Sequence, residues 1–191
     1  MRKLAFLFIM AVCMVGCKSY VALESMPDID SQKKIPNLNL EVDNNSFAID
    51  AFINPSLLES IIVENFTSQM DRFAENRGSI QCRLVYGNHN NNSIWGMAIL
   101  SGLTLTSINL LGVPCFWDIT TMQIEVSFLD KDKKVLAIYK SKKNKSKQYA
   151  AFYYGYSNPE TASSAEALKK CLDDVNTQIQ YDYNNLIQLY K

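Results

Sequence analysis

From Thr120 to Leu129 the chain alternates, placing Met122, Ile124, Val126 and Phe128 two residues apart. A period of two puts all four on one side of an extended strand, and that side must face a core. The polar stretch Asp130–Lys134 (DKDKK) turns the chain, and Val135–Tyr139 begins a returning strand. Asn37 to Val42 alternates in the same way, Ser79 to Tyr86 reads as a short strand, and a last strand spans Gln148 to Tyr156. Such a sheet needs cover, and two helical stripes supply it. The first opens with Asn54 as cap and Pro55 in the first turn. It carries Leu58, Ile61, Ile62, Phe66, Met70 and Phe73 at spacings of three and four, and Gly78 closes it. The second and longest opens at Pro159 and Thr161 and carries Ala165, Leu168, Leu172, Val175, Ile179, Tyr183, Leu186 and Tyr190. The predicted order is β-α-β, an apolar hairpin, then β-β-β-α. This is an α+β domain with a mostly antiparallel sheet and two helices packed on one face.

A chain of 191 residues supports one such domain at 37–191 and is short for two. Lys and Arg total 19 and so do Asp and Glu, so no basic surplus exists to hold nucleic acid. The single histidine leaves little room for a histidine-based metal site or acid–base pair. The chain contains no G-x-S-x-G, H-E-x-x-H, P-loop or G-x-G-x-x-G pattern. No catalytic residue, cofactor or metal is expected.

The first 17 residues, MRKLAFLFIMAVCMVGC, have a different character. Arg2 and Lys3 precede an apolar run of 12 residues from Leu4 to Val15, which is the length of a signal-peptide core and too short to span a bilayer. The run ends in Met14-Val15-Gly16-Cys17. This resembles the lipobox of bacterial lipoproteins, departing from it at Met14, where Leu is usual. The resemblance implies that 1–16 is a signal peptide, that Cys17 carries a diacylglyceryl thioether, and that the new amino group is acylated. Residues 17–36 then form the lipidated cysteine and a tether with Pro27 and Pro36. Lys18 stands where an Asp resembles an inner-membrane retention signal, so the expected destination is the outer membrane, with the domain facing the periplasm. Loss of Arg2 and Lys3 leaves 17 basic against 19 acidic residues. The remaining cysteines, Cys82, Cys115 and Cys171, permit one disulfide at most, and small buried residues are an equal reading.

Ser93–Trp117 (SIWGMAILSGLTLTSINLLGVPCFW) holds 25 residues without a charge. Three readings compete: a transmembrane helix, a hairpin buried in the core, and an apolar hairpin at the membrane surface with tryptophans at headgroup depth. The surface hairpin leads, because the lipid anchor already holds the domain there. Its expected membrane contacts are Trp95, Leu100, Leu103, Leu105 and Trp117. Gly102-Leu103-Thr104-Leu105 with the later Pro114 is similar to a GLTL…P stretch in small lipoproteins of Gram-negative bacteria, which implies location and no chemistry.

Lys140, Lys142, Lys143, Lys145 and Lys147 crowd one short run. Lysines so placed can contact phosphates of lipid headgroups or lipopolysaccharide, but a solvated loop or strand extension is the simpler reading. Gly87–Ser93 (GNHNNNS) has a loop composition. His89 lies in it with nothing to orient it, so a nucleophilic pair with Cys82 is not expected. The sequence therefore points to a non-enzymatic, membrane-anchored envelope lipoprotein, an accessory or scaffold module with an envelope membrane-protein partner. The alternative is a lipid- or glycolipid-handling protein using the apolar segment and the lysines.

Overall fold

A computed structural model describes residues 33–47, 55–93, 116–150 and 159–191. Their elements are β1 (Asn39–Val42), α1 (Asn44–Phe47), α2 (Pro55–Gln69), β2 (Gly78–Ser93), β3 (Phe116–Asp130), β4 (Val135–Lys140), β5 (Asn144–Ala150), α3 (Pro159–Tyr181) and α4 (Tyr183–Leu189). The fold is α+β with a mostly antiparallel sheet. β3 is its spine. β2 pairs with it along its whole length, from Gly78↔Asp130 to Ser93↔Phe116. On its other side β4 takes Glu125–Leu129 and β5 takes Phe116–Met122, so β4 and β5 form one edge in two pieces. Ser141 bridges the step: its N–H donates to Ile124 O at 3.0 Å, and its Oγ accepts from Ile124 N at 3.0 Å. β1 is the one parallel strand, in register from Asn39↔Ser79 to Val42↔Cys82.

The alternation read from the sequence sets the inner face of β3. Met122, Ile124, Val126 and Phe128 are all fully buried. The α3 stripe of Leu168, Leu172 and Val175 is fully buried as well, and Ile80, Cys82 and Phe66 share its core. Phe128 meets Tyr139 edge to face, with ring centroids 5.6 Å apart. Each such large side chain contributes about 1.5–3 kcal/mol by leaving water. Ile35, just before β1, is also in this core.

Four local expectations change. α2 ends at Gln69, well before Gly78. Met70 leaves the helix to bridge Ile35, Asp71 Oδ1 accepts from the Phe73 N–H at 3.2 Å, and Phe73 is fully exposed rather than part of the buried stripe. Gly78 instead opens β2, where an added Cβ would lie 2.0 Å from Leu129 O. The long C-terminal helix is two helices, broken at Asp182, whose Oδ2 accepts from Tyr139 Oη at 2.9 Å. The last strand starts at Asn144, so the lysine run is largely strand; its expected extension to Tyr156 lies outside the described residues.

The largest change concerns GNHNNNS, which is not a loop but the second half of β2. The β2–β3 register shifts between Leu84 and Tyr86, a bulge at Val85. Before it, Ile80, Cys82 and Leu84 face inward; after it, the inward parity passes to Gly87 and His89. Asn88 and Asn90 point outward and are exposed. One extra residue thus re-aims the strand, as bulges commonly do.

Candidate functional site

The polar end of the sheet collects the unusual chemistry. It comprises the second half of β2, the first half of β3, β5 and the first turns of α3. Continuing the inner row of β3 backward from Met122 gives Thr120 and Asp118, both buried. The bulge brings His89 beside Thr120 in register. His89 Nε2 lies 3.0 Å from Asp118 Oδ1, and their side chains are 3% and 1% exposed. His89 Nδ1 lies 3.3 Å from Thr120 Oγ1. From α3, Ser163 Oγ donates to Asp118 Oδ2 and lies 2.7 Å from Thr120 Oγ1; Ser164 Oγ is 3.3 Å from Thr120 Oγ1. The four side chains His89, Asp118, Ser163 and Thr120 stand in a ring of polar contacts, in which His89 Nε2 and Asp118 Oδ1 approach at ion-pair distance without hydrogen-bond geometry. Such contacts matter because a buried polar group without a partner costs about 1–3 kcal/mol, and a charged one more.

The arrangement is not that of a hydrolase triad. Ser163 hands its hydrogen to the Asp118 carboxylate and not to the imidazole, so the serine–histidine link of such a triad is not made. The expectation that nothing orients His89 is corrected: Asp118 and Thr120 both hold it. Cys82 is not its partner. It sits on the far side of the bulge, opposite Val126, and burial, with the nearby Cys171 second, pushes its thiol up to about 12. Cys171 is likewise raised, first by burial, and its Sγ donates to Met122 O at 3.2 Å. Both are free and buried, so neither is an activated nucleophile. Cys115 lies outside the described residues. Among the described residues no group of three or more His, Cys, Asp or Glu is placed to hold a metal ion.

Beyond the ring, β5 splits its side chains by parity. Ser146 turns inward, buried, and its Oγ donates to Glu166 Oε2 at 2.8 Å; Gln148 Nε2 donates to the same oxygen. Lys170 Nζ stands 2.7 Å from Glu166 Oε1. Burial pushes this carboxyl up, but Lys170 and the two donors outweigh it and hold it below the usual range. Lys145 and Lys147 turn to the opposite face and are exposed.

Of the predicted site residues, Cys17, Trp95, Leu100, Leu103 and Leu105 lie outside the described residues. Trp117 lies in β3, opposite Asn92 of β2 and Tyr149 of β5. The pairing Ser93↔Phe116 brings both ends of the uncharged segment side by side in one sheet. A single membrane crossing, which would separate those ends by a bilayer, is therefore excluded, and the two hairpin readings stand. Among the described residues no helix is long and apolar enough to cross a membrane. Asp118, Thr120, Ser163 and Ser164 were missed by motif reasoning. Their signal was parity: two polar residues continuing the apolar row that ends at Met122.

No protein-family model and no curated protein matches the chain. Among solved structures, similarity is found to a protein described as a lipoprotein from Caulobacter crescentus CB15, with 11% identity, a TM-score of 0.37, and coverage of 78% of this chain and 89% of that one. A minor lipoprotein from Acinetobacter baumannii is similar at 11% identity and a TM-score of 0.31, over 78% of this chain and 91% of that one. At these values neither likeness transfers a function.

Proposed function

We propose that the chain is a lipid-anchored envelope lipoprotein that works without chemistry of its own, as an accessory module presenting its α+β domain to a membrane-protein partner. One observation carries the reading: Met14-Val15-Gly16-Cys17 follows a basic start and a 12-residue apolar run. Two or three acyl chains on Cys17 give stable anchoring where one gives only marginal binding. Lys18 directs the anchor to the outer membrane, with the domain on the periplasmic side. The described side chains support a non-enzymatic role. The buried histidine and aspartate face each other at 3.0 Å inside the domain, and both described thiols are buried and raised. The test is Cys17→Ser in cells fed labelled palmitate. Label is expected in the parent protein, in the outer-membrane fraction, and absent from the variant. A variant that still takes up label defeats the reading, and recovery of the parent in the inner membrane defeats the destination.

A further inference from the structure

Charge is sorted across this sheet by strand parity. The helices and the buried stripe occupy the face of Met122 and Ile124. The opposite face carries Ile119, Thr121, Gln123 and Glu125 of β3, and among the described residues no helix covers it. Register places Lys145 beside Thr121, Lys147 beside Ile119 and Lys140 beside Glu125. On the β2 side Asn88 lies beside Thr121 and Asn90 beside Ile119. Lys143 reaches across the same face, its Nζ 4.0 Å from the centre of the Tyr86 ring. Lys140, Lys143, Lys145 and Lys147 are all exposed. Two described carboxylates lie on this face and both are already held: Glu125 by Arg83, with Nη2 2.6 Å from its Oε1, and Glu41 of β1 by Lys133. The neighbouring carboxylates point elsewhere: Glu166 to Lys170, Asp174 to Asn144 and the Lys142 N–H, Asp182 to Tyr139, Asp118 into the core. Among the described residues this face is therefore cationic, in a chain whose net charge is zero.

The lysines do not converge. Lys145 and Lys147 are two residues apart on one strand, about 7 Å, and the row runs along an edge. A single bound phosphate is drawn by cations that converge on it; a row on an open sheet fits an extended layer of negative charge. We propose that this helix-free face lays the domain against an anionic lipid surface, resting on the lipid-anchor reading above. Asn88, Asn90 and Thr121 add hydrogen-bonding groups between the cations. The covalent geometry allows it. The chain enters the sheet near Gly78, at the other end of a 16-residue strand about 50 Å long, and the 18 residue steps from Cys17 to Ile35 span at most about 60 Å. A domain lying flat thus brings its lysine row to the membrane that holds its anchor.

The test uses the mature protein purified from membranes and reconstituted into two vesicle types, phosphatidylcholine alone and phosphatidylcholine with phosphatidylglycerol. Lysines are acetylated briefly and read by mass spectrometry. On the anionic vesicles at low salt, Lys143, Lys145 and Lys147 should be several-fold less labelled than on neutral vesicles, while Lys169 and Lys170 of α3 stay unchanged. High salt should erase the difference, because screening shortens the reach of surface charge. In the Lys145→Gln/Lys147→Gln variant, whose far-ultraviolet circular dichroism should match the parent because both positions are exposed, the protection of Lys143 should shrink. Equal labelling on the two vesicle types overturns the proposal. So does protection that survives high salt or the double substitution. Flotation with neutral vesicles reads the anchor separately, so a failed anchor and a failed docking face give different results.

Discussion

The two ends of the inner face are covered by the same helix and built from opposite materials. Where β4 pairs with β3, the inner row is Val126 and Phe128, continued by Ile124 at the step, and the buried stripe of α3 runs through Leu172, Val175 and Ile179. Where β5 pairs with it, the row is Asp118 and Thr120 with His89 alongside, and α3 answers with Ser163 and Ser164. Apolar packing holds a helix down but tolerates small slides along the strand. Hydrogen bonds with fixed partners do not. The apolar end buries the larger side chains, and the polar ring gives α3 partners at fixed positions along β3. The α2–α3 contact repeats the device: Asn176 Nδ2 donates to Asn65 Oδ1 at 2.9 Å, and Gln69 Nε2 donates to Asn176 Oδ1 at 3.2 Å.

The sharpest way to break the comparison is at the apolar end. Phe128→Ala should cost about 3–5 kcal/mol in urea unfolding, since it removes a fully buried ring and leaves a cavity. At the polar end, Asp118→Ala removes a partner from both His89 and Ser163, leaving Thr120 to each, and should cost about 3 kcal/mol in the same measurement. The double replacement His89→Leu/Asp118→Leu should recover most of that loss, because matched apolar groups often replace a buried pair without penalty. Its amide spectrum should nonetheless broaden over the first turns of α3. A sharp spectrum at parental stability would show that the ring specifies nothing. The smallest effect belongs to Glu166. Its carboxyl is held below the usual range, so its contribution is complete above the pKa of the unfolded glutamate and is lost as pH falls through the lower folded value. Glu166→Gln should therefore flatten the acid limb of the stability–pH curve slightly and leave neutral stability nearly unchanged, because the side chain is 40% exposed.

Periodicity made the architecture legible. Met122–Phe128 and the Leu168–Ile179 stripe locate the core directly, because burial is what creates those patterns. The break at Asp182 was not legible, since the stripe continues through it to Leu186. Asn88, Asn90 and their neighbours read as loop because asparagine favours turns, yet pairing with β3 overrides that preference. The inward turn of His89 was hidden for another reason. It depends on a bulge, and a bulge is a relation between two strands that neither sequence segment shows alone. The lysine run was visible as charge, but its division into Lys145 and Lys147 on one face and Ser146 on the other appeared only with the register of β5.

The bulge at Val85 makes the length of β2 a matter of odd and even. Deleting Val85 would remove the unpaired residue and leave Leu84 opposite Ile124 and His89 opposite Thr120. Deleting Asn88 with the bulge kept would instead turn the strand over beyond Gly87, sending His89 to the face of Thr121 and bringing Asn90 against Thr120. The two ends of this sheet can therefore drift in sequence independently, residue by residue, but they cannot change their count independently except at the bulge: substitutions are local here, and a single-residue gap away from Val85 turns a strand over.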